Sequence, residues 1–142
     1  MGFGVRLYVS NATAPLPEEA LYAVRYEMCQ WLRKNIPEDR VLASWNAGQL
    51  GFFSGHRVVN LDGLVNSKEY YDSVLSGREP LSRYLNRSNV SYLVDYRDAD
   101  TLTEGRRVVF SLPTEYRGTA RLLRVWDLGV RPKSLDKRPV LC

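Results

Sequence analysis

The sequence predicts an α/β domain. Short apolar runs alternate with capped, helix-periodic segments through most of the chain, and two further apolar runs follow with no helical segment between them. Alternating strands and helices imply parallel pairing through right-handed crossovers. Two runs joined by a turn imply an antiparallel hairpin. A chain of 142 residues, 44% hydrophobic and 25% charged, is of single-domain size and long enough to bury a core.

The elements follow in order. Pro15 and Pro17 close a polar leader, and Glu18 and Glu19 place acids in the first turn of a helix, where the macrodipole favours them. Leu21, Val24, Met28, Trp31 and Leu32 recur at helical spacing, and Pro37 stops the segment. RVLASW (40–45) reads as a buried strand. NAGQLGFFSG (46–55) reads as a short helix with Asn46 as N-cap and Gly55 as terminator. RVVNL (57–61) is the second strand, and NSKEYYDSVLSG (66–77) a helix capped by Asn66 or Ser67 and stopped by Gly77. PLSRYLNRSN (80–89) is a further helix with Pro80 in its first turn, and VSYLVDY (90–96) the third strand. RRVVFSL (106–112) and GTARLLRVWDL (118–128), joined by PTEYRG, complete the sheet as a hairpin. The expected architecture is a Rossmann-like three-layer domain with parallel central strands and a C-terminal antiparallel hairpin. Residues 1–17 form the leader, 18–128 the single domain, and 129–142 an irregular basic tail.

The composition narrows the chemistry. His56 is the only histidine, so there is no Cys/His metal constellation, and neither a zinc site nor a His-based triad is expected within the chain. His56 itself reads as a solvated turn residue. A disulfide between the cysteines, Cys29 and Cys142, depends on a bridging distance that spacing along the chain does not fix, and Cys29 reads as a small buried apolar residue. A net charge of +4 is scattered outside the tail, which does not call for nucleic acid as a partner. Gly48, Gly51 and Gly55 lack the dinucleotide spacing, so no nucleotide cofactor is expected, and no metal.

In open α/β sheets ligands lie beyond the carboxyl ends of the parallel strands. That edge carries Trp45 and Asn46, then Asp62 with Gly63, then Asp95, while Asn66 and Tyr70 begin the helix that reaches the same side. Amides and acids bind hydroxyls and aromatic faces cover apolar ones, so the set suits a sugar or another polyol. The structural alternative is as concrete. Asp62-Gly63 is a turn pair, Asn46 and Asn66 are caps, Asp95 ends a strand, and Trp45 and Tyr70 are core.

The segment WLRKNIPEDRVLASWNAGQLGFFSGHRVVNLDGLVNSKEYY (31–71) resembles the extracytoplasmic C-terminal region of polytopic membrane glycosyltransferases. These are the mannosyltransferase-like and arabinosyltransferase-like proteins that use lipid-phosphate sugars. The resemblance runs through Trp45, Asn46, Gly48, Gly51, Asn60, Asp62, Gly63 and Asn66. It implies a domain on the extracytoplasmic face of a membrane, with the leader as the exit from a preceding membrane region unless it is an artificial start. The partners it implies are the protein's own transmembrane region and a glycan or lipid-linked sugar, and the isolated domain is expected to be a monomer. Catalysis in that family belongs to the membrane region, so no catalytic residue is carried over. Two other readings stay open: a free-standing glycan-active enzyme using Asp62 and Asp95, and a purely structural or protein-interaction domain.

Overall fold

The computed structural model describes residues 18–63, 67–96, 100–116 and 119–130. The leader over residues 1–17, Asn66, and residues 131–142 of the tail with Cys142 lie outside them. The chain runs α1 (Glu18–Asn35), β1 (Val41–Ser44), α2 (Ala47–Phe53), β2 (Val58–Asn60), α3 (Lys68–Tyr70), α4 (Leu81–Arg87), β3 (Val90–Asp95), α5 (Asp100–Thr103), β4 (Arg107–Tyr116) and β5 (Thr119–Asp127). The five strands form one mixed sheet in the order β2-β1-β3-β5-β4. β1 pairs in parallel with β2 and β3. β5 is antiparallel to both β3 and β4. The three strands expected to be parallel are so, and the expected hairpin is present.

All six residues of β3 are buried. A strand covered on both faces reads as a continuous apolar run rather than an alternating one. Successive residues nevertheless point to opposite faces. Leu42, Tyr92, Val94 and Val125 pack with Met28, Cys29 and Leu32 of α1 and Leu50 of α2. Ala43, Leu93 and Trp126 pack with Tyr70, Tyr84 and Leu85 of the helices between β2 and β3. Along α1 the fully buried positions are Met28, Cys29 and Leu32, with Val24 and Trp31 at the margin. Trp31 lies flat on Phe110 of β4, with ring centroids 4.1 Å apart and planes 4° apart. It clasps the hairpin to the helix from outside the centre of the core.

Several local details depart from the sequence reading. β4 runs on through Pro113 to Tyr116, where a turn was expected. β4 is the edge strand, and an edge position facing solvent needs no backbone N–H, so proline is tolerated there. The one-turn α5 was not foreseen, because four residues are too few to show a helical period. α3 is capped by the Ser67 hydroxyl, which accepts from the Tyr70 amide at 3.3 Å. It then widens into a π-helical turn, Tyr71–Leu75, before Gly77 ends it at φ +74°. Arg87 ties this segment to α4: its guanidinium bonds Glu79 at 3.0–3.1 Å, pairs with Glu69, and lies 4.7 Å from the Tyr84 ring centroid. The Arg87 hydrogen bonds are the main cause that holds the Glu79 carboxyl below the usual carboxylate range.

His56 is buried, not solvated. Its Nδ1 lies 3.0 Å from the Ser54 carbonyl and its Nε2 3.3 Å from that of Ile36. The ring therefore bridges the ends of α2 and α1. Cys29 is buried as expected, and its thiol donates to the Gln49 carbonyl at 3.7 Å.

Two measurements test this packing. Leu32→Ala removes a fully buried side chain and should cost about 2–5 kcal/mol in urea denaturation; a loss below about 1 kcal/mol would place Leu32 outside the core. Burial pushes the Cys29 thiol from 9.0 up to about 11. The folded value lies above the unfolded one, so this contribution to stability is fully present below pH 9 and is lost as pH rises through about 11. The stability of the parent relative to Cys29→Ala should fall by on the order of 2 kcal/mol between pH 8 and pH 11. A difference independent of pH would contradict the burial.

Candidate functional site

The carboxyl ends of β1 and β3 meet at Asp95. Its side chain is buried, and both oxygens accept hydrogen bonds. Oδ2 takes the Ser44 hydroxyl at 3.2 Å and the Trp45 amide at 2.9 Å, while Oδ1 takes the Tyr96 amide at 2.8 Å. A carboxylate removed from water requires such donors. The Ser44 hydroxyl also accepts from the Asn46 amide at 2.9 Å. Asn46 occupies the N-cap position of α2 but makes no side-chain cap bond. Its Nδ2 instead donates to the Tyr96 hydroxyl at 3.0 Å. The Arg25 guanidinium stands 5.9 Å from the Tyr96 ring centroid.

Around this network Arg25, Asn46, Leu50, Tyr96 and Leu123 line a cleft with a cavity volume of about 10 Å³. That is room for about one water molecule and not for a sugar ring. Asn46 and Arg25 are half-buried at the rim of the cleft, and Tyr96 is buried.

The other sequence-derived candidates take separate places. Trp45 is half-buried and packs on the Tyr70 side of the sheet, so its backbone joins the Asp95 network while its ring belongs to the core. Asp62 is exposed just past β2; its Oδ1 accepts from Asn60 Nδ2 at 2.9 Å, and its own amide donates to Asn60 Oδ1 at 3.1 Å. Gly63 follows at φ +82°, where an added Cβ would come within 3.1 Å of Leu75 Cδ1. Glycine is therefore required at this turn. Tyr70 is buried against Tyr84, and its hydroxyl donates to the Leu61 carbonyl at 3.2 Å. Burial is the main cause of its raised pKa, with the Tyr84 and Asp62 charges adding to it. Asn66 lies outside the described residues.

Trp45, Asn46 and Asp95 are thus brought together, and Asp62 and Tyr70 are not brought to the same cleft. Ser44, Tyr96 and Arg25 complete the cluster unforeseen. For Tyr96 the signal was its place in the VDY end of a buried strand; Ser44 and Arg25 carried none. Among the described residues no group of three or more His, Cys, Asp or Glu side chains is placed to hold a metal ion. No helix among them is long and apolar enough to cross a membrane.

A family model described as a domain of unknown function (DUF8728) matches residues 14–138. No curated protein and no solved structure matches the chain.

The two carboxylates should respond differently to neutralisation. Asp95→Asn turns an N–H toward backbone donors and should cost about 1–3 kcal/mol. Asp62→Asn keeps the acceptor that faces Asn60 and should stay within about 0.5 kcal/mol of the parent. Chemical denaturation of both variants checks this, and equal losses would contradict the division.

Proposed function

We propose that this chain, which belongs to the DUF8728 family of unknown function, is a non-catalytic domain of a membrane glycosyltransferase-like protein. It stands on the extracytoplasmic face and holds the acceptor or glycan product near the membrane-embedded site. Its architecture is read as Rossmann-like and three-layered, on the strength of packed clusters on both faces of a sheet with parallel central strands. The resemblance of residues 31–71 to such ectodomains supports the reading.

One observation carries it furthest. The Asp95 carboxylate is held by donors from its own fold, and the polar groups beside it at the cleft are Arg25 and the Asn46 amide, which donates to the hydroxyl of the buried Tyr96. Amide, phenol and guanidinium groups recognise hydroxyls without cleaving anything. The enzyme reading fits less well. β1 separates the strands that end at Asp62 and Asp95, which sets them about two strand spacings, roughly 10 Å, apart. Glycosidase carboxylates lie about 5–9.5 Å apart with the bond to be cleaved between them, and Asp95 is turned into the sheet.

Titrating the isotope-labelled chain with neutral mannose- or arabinose-containing oligosaccharides tests the binding role. The Asn46 side-chain amide and the Tyr96 backbone signal should shift together, and Asn46→Ala should weaken binding about tenfold, the effect of about 1.4 kcal/mol. Shifts absent throughout the titration, or unchanged by Asn46→Ala, would remove the glycan role from this rim.

A further inference from the structure

Away from the sheet, the outer surface of α1 and α2 carries a wedge of exposed rings. Tyr26 of α1 is 47% exposed, and Phe53 and Phe52 of α2 are 36% and 80% exposed. Tyr26 meets Phe53 edge-on, with centroids 5.4 Å apart and planes at 85°. Phe52 meets Phe53 in the same manner, at 4.8 Å and 82°. Rings set at right angles project from the surface and offer no flat platform for a sugar. Their contact with water is unfavourable in proportion to the apolar area exposed.

Cations frame the wedge. Arg33 of α1 packs beside Gly55 just past α2, and the exposed Arg57 follows. Glu27 is the acid next to Tyr26. Glu18 and Glu19 begin the helix roughly 10–12 Å further along its axis. The balance beside the rings is positive, within a chain of net charge +4.

We propose that this wedge docks the domain on an anionic lipid surface. Phe52, Phe53 and Tyr26 enter the interfacial layer, where aromatic rings partition, and the neighbouring guanidinium groups meet lipid phosphate oxygens. A bilayer interface suits the geometry because it accepts a protruding apolar wedge without a preformed groove. The docking is separate from any glycan contact at the strand ends, so either role can fail without the other.

Co-sedimentation of the 142-residue chain with vesicles of mixed phosphatidylcholine and phosphatidylglycerol tests it. The chain should pellet with the vesicles, less so as salt is raised. Phe52→Ser should bind about tenfold more weakly while keeping the parent's circular dichroism spectrum, since Phe52 is largely in water. Tyr71→Ser, which alters a 65% exposed ring on the opposite side of the sheet, should bind like the parent. The proposal is overturned if the chain does not pellet, or if Phe52→Ser binds as well as the parent, as attraction through the basic tail alone would produce. A dimer that depends on Phe52, without vesicle binding, would overturn it equally and identify a second copy as the occupant.

Discussion

A carboxylate buried at the end of a fully covered strand must be satisfied by the protein itself, and much of this fold is arranged around that requirement at Asp95. The charged form cannot remain in the interior without donors. Its backbone donors are Trp45, the first residue beyond β1, and Tyr96, which follows Asp95. The carboxylate thereby ties together the carboxyl ends of two neighbouring parallel strands. Ser44 extends the tie by donating to Asp95 and accepting from Asn46, which sets the entry of α2. With α2 so placed, Leu50 reaches the cluster formed by Met28, Cys29 and Leu32, and the Cys29 thiol meets the Gln49 carbonyl.

The same tie explains why this sheet edge is poor in free acid groups. Both oxygens of that carboxylate are turned to donors within the protein. The half-buried polar groups around the cleft, Asn46 and Arg25, are neutral or positive. Asp62, at the neighbouring strand end, is engaged with Asn60 across a turn that glycine alone can make without strain.

The surface divides along similar lines. On the Tyr70 side of the sheet, α3 and α4 are fastened by Arg87 to two glutamates and a tyrosine ring, so these charged groups find partners within the domain. On the α1 and α2 side, Phe52 keeps most of its surface in water, and its ring contact is to the adjacent Phe53. Polar groups satisfied internally need no outside partner. Exposed rings gain from one, which is why the two sides invite different functional readings.

Element type and order were legible in the sequence because they depend on local spacing. The apolar stripe of α1, the runs that became β1, β2 and β3, and Gly55 and Gly77 at positive φ all follow from residues within a few positions of one another. The parallel centre followed from their alternation. The partner each polar side chain chose was not legible, because those choices join residues far apart in the chain. Asn46 was readable as a cap, yet its amide reaches Tyr96 fifty positions away. His56 looked like a turn residue, but its two ring nitrogens face carbonyls at the ends of two helices. Tyr70 looked available to the strand-end rim until packing on Tyr84 buried its ring and drew its hydroxyl to Leu61. Sequence spacing determined which faces were apolar. Only the tertiary structure decided which polar groups were left facing outward, because a hydrogen bond depends on distance in space and a pattern records distance along the chain.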